Sequence, residues 1–167
     1  MAAVYGTFEY EQMNAIYLRT IACLATAINS CGPVKRSDNP ISKADMMKIV
    51  KENDKKFSTG IQTKNAQFIA DIYSDSAQYI QNHLRIVEGK DSILKEWEGF
   101  MNLKEKPLDL ILTFHDVRGN REIIYETGEG YTLLGDSSKW EFNYVNVWRL
   151  QKDGSYKLEI DTYNELK

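Results

Sequence analysis

From Ser42 onward apolar residues recur at helical spacing. Met46, Ile49, Val50, Phe57 and Ile61 fall three to four positions apart, or multiples of that, and predict one buried helical face. Ser42 can cap this helix. Asp45, three residues on, can close a capping-box-like turn and favours the positive helix end. Gly60 weakens the last turn, and Thr63-Lys64-Asn65 marks a break. Asn65 is placed to cap a second short helix, with Phe68, Ile69, Ile72 and Tyr73 facing inward, ended by Ser74-Asp75-Ser76. Ala77 to Gln81 predicts a short strand. Val87 to Ser92 then leads into a third helix carrying Ile93, Leu94, Trp97 and Met101, and Pro107 closes the helical region.

From Leu108 the period changes to that of strands and turns. Leu108 to Val117 is followed by the turn Arg118-Gly119-Asn120, then Glu122 to Leu134. Gly135 to Ser138 forms a loop, Lys139 to Leu150 a strand, and Lys152-Asp153-Gly154-Ser155 a turn into a last strand, Tyr156 to Tyr163. Asp-Gly between two such runs is a strong hairpin signal. Helices first and long antiparallel strands afterwards predict an α+β domain with its helices on one face of a curved sheet.

Composition narrows the function classes. In 167 residues, 43% are hydrophobic and 27% charged, which fits a globular chain. Net charge is −3 with no long basic run, so a nucleic-acid partner is disfavoured. Both cysteines, Cys23 and Cys31, lie near the start, and the histidines are His83 and His115. The spacing supports no zinc motif, and no metal or cofactor is expected.

Residues 13–31 read as an address. One positive charge, Arg19, precedes the compact apolar run Thr20 to Ile28, as in a secretory signal and too short for a membrane span. Ile28-Asn29-Ser30-Cys31 is similar to a bacterial lipobox, with Cys31 as the lipidated residue and Asn29 atypical. Residues 32–42 would then be a tether, and the protein would sit on the periplasmic side of the cell envelope through its lipid anchor. Glu9 and Glu11 do not suit a signal's start, so this reading works best with Met13 as initiator. The alternative is an amphipathic helix using Ile16, Leu24, Ala27 and Ile28 in a cytoplasmic protein.

Four stretches of residues 43–167 resemble the SnoaL-like, ketosteroid-isomerase-like branch of the nuclear transport factor two-like superfamily. Phe68 to Ala77 resembles its second helix, which ends in tyrosine, two acidic or polar residues and alanine. Glu88-Gly89-Lys90-Asp91-Ser92-Ile93 resembles the entry to its third helix, with Glu88 in place of the usual arginine. Tyr125-Glu126-Thr127-Gly128 resembles a further element, with Tyr131 one position late, which suggests a bulge or a register shift. Tyr144 to Arg149 with Lys152 to Asn164 resembles the closing hairpin, Tyr156 replacing a frequent tryptophan. The resemblance implies a cone-shaped fold, three N-terminal helices packed on a strongly curved antiparallel sheet, with a pocket at its mouth. It also implies a homodimer.

On the strand around Tyr144, Phe142, Tyr144, Asn146 and Trp148 share one face, with Val145, Val147 and Arg149 on the other. The aromatic face is expected to look inward against Trp97 and Phe100. The resemblance points Asp161 and Glu126 toward the cavity, where an apolar surround raises a carboxylate's pKa and suits it to general acid–base work. Tyr131, Tyr144 or Tyr163 can supply a hydroxyl, as a tyrosine does in ketosteroid isomerase. His115 reads as an acid, a base or a ligand contact, or as half-exposed sheet filling, and His83 as a residue of the cavity rim. The ligand-contact set is therefore Trp97, His115, Tyr131, Tyr144, Trp148 and Tyr163. Two functions stay open: a domain that binds a small apolar ligand or assembles with a partner, and a cofactor-free isomerase or cyclase using a pocket carboxylate as base.

Overall fold

Ser42 fixes the start of the first helix. Its hydroxyl oxygen accepts from the Asp45 amide at 3.1 Å and donates back to the Asp45 carboxylate at 2.7 Å, so two otherwise unpaired groups are satisfied together. Helix α1 then runs Lys43–Gln62 and buries Met46, Val50, Phe57 and Ile61, with Ile49 half-buried. The computed structural model describes residues 40–82 and 85–166. Cys23, Cys31, His83 and all of residues 13–31 lie outside the described residues.

Gly60 does not break α1. A Cβ there would land on the Ile69 side chain, so the missing side chain is what lets the next helix approach. That helix, α2, spans only Ala66–Ala70, capped by Asn65 Oδ1, which accepts from the Phe68 amide at 2.9 Å. It stops before Ile72, so Phe68 is exposed rather than inward, and Tyr73 belongs to strand β1, Tyr73–Ile80. The strand therefore starts four residues before the expected Ala77. Ser74 and Ser76, which read as a turn, are held in the strand because both donate to Glu159 on a neighbouring strand.

A two-residue strand β2, Val87–Glu88, pairs antiparallel with β1. Gly89 follows with φ 83°, a conformation glycine adopts freely, and turns the chain into helix α3, Lys90–Met101, which buries Ile93 and Trp97. The remaining strands are β3 Pro107–Gly119, β4 Ile123–Leu134, β5 Lys139–Leu150 and β6 Tyr156–Glu165. They complete an open six-stranded sheet in the order β2-β1-β6-β5-β4-β3. Every pairing is antiparallel except β1 with β6, which is parallel. The α+β cone is thus as expected, with a mixed rather than purely antiparallel sheet. α3 and β3 to β5 separate β1 from β6 in the chain, and a connection of that length permits the parallel pairing that a hairpin does not.

Two of the sheet's register shifts decide which residues face inward around the site. His115 is unpaired between Phe114↔Gly128 and Asp116↔Thr127, so Phe114 and Val117 both turn inward although three residues apart. Glu159 is unpaired between Val147↔Ile160 and Trp148↔Leu158, so Leu158 and Asp161 are both buried. The irregularity expected beside Tyr131 is absent, since β4 and β5 pair without a break from Ile123 to Leu133. Trp148, Tyr73, Ile124 and Leu158 close the core against Val50, Phe57 and Ile61 of α1.

Candidate functional site

One transverse row of the sheet carries the site. Val117 of β3, Glu126 of β4, Asn146 of β5, Asp161 of β6 and Tyr79 of β1 are successive cross-strand partners. Directly opposite residues share a face, so their side chains meet on the concave side. The next row places Tyr144 over Gly128 and Tyr163 beside Tyr144. A Cβ at Gly128 would lie 2.7 Å from the Tyr144 ring, and one at Gly130 would lie 2.8 Å from Phe142. The two glycines of β4 therefore let the β5 rings lie across that strand.

The resulting cavity has a volume of about 380 Å³, within the range of small-molecule sites. Asp161 lies in its floor at 8% exposure. The Tyr73 hydroxyl donates to Asp161 Oδ2 at 2.5 Å, and Trp97 Nε1 donates to the Tyr73 oxygen at 3.2 Å. Among the described residues no other donor reaches this carboxylate, which leaves Oδ1 to the cavity. Burial pushes Asp161 up to about 6, with the Tyr73 hydrogen bond opposing. Burial, and then the Asp161 charge, hold Tyr73 and Tyr79 well above the usual phenol range, so both stay protonated.

Behind this floor lies a second acidic pair. Glu126 is fully buried, and its Oε1 accepts from Trp148 Nε1 at 3.0 Å and from Asn146 Nδ2 at 3.1 Å. Asp54 of α1 faces it. Burial raises both carboxyls, and the Glu126 charge raises Asp54 further. One proton shared between them accounts for Asp54 Oδ1 and Glu126 Oε2, neither of which has another partner. The Tyr144 hydroxyl is also buried without a partner, and its proton is held tightly by burial and by Glu126, Asp54 and Asp161.

Of the residues singled out from the sequence, Asp161, Trp97, Tyr144 and Tyr163 line one cavity. Glu126 does not. It sits beneath the floor, because its row is roofed there by α1, and it reaches the cavity through its hydrogen bond with Asn146 and through its charge. Trp148 is likewise core: its ring is fully buried and its indole N–H is used by Glu126. His115 and Tyr131 are on the outer face of the sheet. His115 is turned there by the bulge and lies 3.6 Å from the exposed Glu129. Tyr131 alternates outward from Gly130 and Thr132 and carries the Lys139 ammonium 4.1 Å from its ring centre.

The sequence pattern does not single out Tyr73, Tyr79 or Asp54 as site residues. It places Tyr73 at the end of a helix and Tyr79 in a short strand. Asp54 carried a usable signal, for it falls four residues after Val50 and three before Phe57, inside the apolar helical stripe. A carboxylate in that register has to be solvated through a gap or paired internally.

No protein-family model and no curated protein matches the chain. Solved structures do. A function-unknown protein from Mycobacterium tuberculosis superposes with TM-score 0.64 at 8% identity, over 72% of this chain and 76% of that one. A ketosteroid isomerase-like protein from Erwinia carotovora atroseptica gives 0.61 at 8% identity, over 74% and 98%. An NTF2-like protein of unknown function from Pseudomonas putida gives 0.60 at 12% identity, over 74% and 88%. Identities this low speak for the fold alone. Among the described residues, three helices on an open curved sheet, with a cavity at the concave face, give this chain the nuclear transport factor two-like fold.

Proposed function

We propose that the domain binds a small, largely apolar molecule whose polar group is held by Asp161. The observation that carries this is a cavity of about 380 Å³, mostly walled by aromatic and aliphatic side chains, with one buried carboxylate in its floor. Pockets of this kind fix a ligand's body by apolar contact and its orientation by a few polar groups. Leu112 lines the wall, so Leu112→Trp fills the space without adding charge. Displacement of a fluorescent apolar probe tests the reading. Wild-type protein binds the probe and the folded Leu112→Trp variant loses it. Equal binding by the two places the probe elsewhere and refutes the cavity as the site.

A specific feature favours a second reading, catalysis of proton transfer. Burial pushes Asp161 up to about 6 in the cavity floor, which suits a general base. Oδ1 would take a proton from the carbon beside a ligand carbonyl and return it to the same or a conjugated carbon, so nothing is consumed. Proton–deuterium exchange into a cyclic ketone, followed by NMR, tests this. Exchange faster than buffer and lost in Asp161→Asn supports it, and exchange at the buffer rate excludes it for that ketone class.

A further inference from the structure

Six aromatic rings that line the cavity form a collar of successive contacts, open between its two ends. Trp140 and Phe100 lie 6.0 Å apart between ring centres, Phe100 and Trp97 5.5 Å, Trp97 and Tyr79 6.1 Å, Tyr79 and Tyr163 6.0 Å, and Tyr163 and Phe142 5.8 Å. Phe142 and Trp140, two residues apart on the same face of β5, are the two ends of this arc. Trp140 is the exposed end of the collar, at the mouth.

The charges lining this collar are mostly negative. Asp161 presents Oδ1 at the floor, and Glu96 and Glu165 stand exposed at the rim. Lys95 is the single cation among the lining residues. Beneath the floor, the Asp54–Glu126 pair with one shared proton adds a further negative charge. Aromatic faces carry negative electrostatic potential, and rings gathered around a space attract a cation that has shed its water. An anionic ligand meets repulsion at the rim and again at the floor.

Resting on the cavity reading above, we propose that the ligand class is an organic cation with an apolar body, an alkyl- or arylammonium compound. Its charged head sits inside the aromatic collar, facing Asp161. The collar and the carboxylates act on the same atom of the ligand. The rings lie near the mouth and walls, and the carboxylate closes the end.

The test uses two molecules of one shape, benzyltrimethylammonium and its uncharged carbon counterpart neopentylbenzene, titrated into the full chain at pH 8 with quenching of tryptophan fluorescence as readout. The cation is expected to bind at least about tenfold more tightly. That preference is expected to fall to roughly threefold or less in Asp161→Asn. The exposed rim pair Glu96→Gln with Glu165→Gln, which leaves the floor untouched, should lower it in the same direction. Equal or tighter binding of neopentylbenzene by wild-type protein overturns the cation assignment and leaves the apolar cavity standing. If neither molecule binds and the fluorescent probe is also indifferent to Leu112→Trp, both readings fall.

Discussion

Ionised Asp161 destabilises the fold that holds it. Burial pushes its carboxyl up to about 6 from the free-chain value of 3.8. A carboxyl raised by folding contributes stability that is fully present below about pH 4 and is lost as the pH rises through 6. The gap between the two values corresponds to about 3 kcal/mol, an upper figure for a group that keeps a little contact with the cavity. Asp161→Asn removes the ionisation and leaves an oxygen able to accept from Tyr73. At pH 7.5 the variant should therefore be more stable than wild type, by roughly 1–3 kcal/mol. Near pH 4 the two should coincide. Urea unfolding at pH 4, 5, 6 and 7.5 measures this, and the difference between the proteins isolates Asp161 from every other titrating group. A variant less stable at pH 7.5, or a difference that does not change with pH, refutes the reasoning. The expected gain also has a functional meaning, since groups kept at a stability cost are commonly those a site needs.

The inner pair should respond to shape and hydrogen bonding more than to charge. Glu126→Ala leaves the Trp148 and Asn146 N–H groups without their acceptor and should lose about 2–5 kcal/mol in urea unfolding. Glu126→Gln can still accept from both and donate to Asp54, so its loss should stay within about 1 kcal/mol. Gly128→Ala forces a methyl group against the Tyr144 ring and the Thr113 carbonyl, and should cost about 1–3 kcal/mol and weaken probe binding. His115→Ala and Tyr131→Ala, both on the outer face, should leave probe binding unchanged and stability within about 1 kcal/mol. The address reading of residues 13–31 expects a mature chain that begins at a lipidated Cys31. An intact mass from the native host showing Met1 and an unmodified thiol refutes it.

Most of the architecture is written in periodicity. The strand Lys139–Leu150 coincides with its alternating pattern, and α1 with its apolar stripe and Ser42 cap. Alternation states which residues share a face, however, and not which strand lies alongside. The parallel pairing of β1 with β6 joins residues more than 80 positions apart through Glu159 and its serine donors, and nothing local announces it. Polar residues at Ser74 to Ser76 read as a helix end because their acceptor lies on β6.

The site was half legible for the same reason. Trp97, Tyr144 and Asp161 stand out by residue type, yet strict alternation along β6 would set Asp161 on the opposite face from the buried Leu158. The extra residue Glu159 reverses the phase between them, and the partner strand β5 keeps Trp148 and Asn146 in step with both. His115 does the same on β3, and in doing so turns itself out of the site. A bulge is a property of two strands, so its position follows from how the inward sets must match across the sheet. Around the site the inward sets agree only because β3 carries an extra residue at His115 and β6 one at Glu159. That agreement puts a carboxylate where alternation alone would have put Ile160. The chemistry of the cavity therefore rests on two unpaired residues on the outside of the sheet, neither of which touches it.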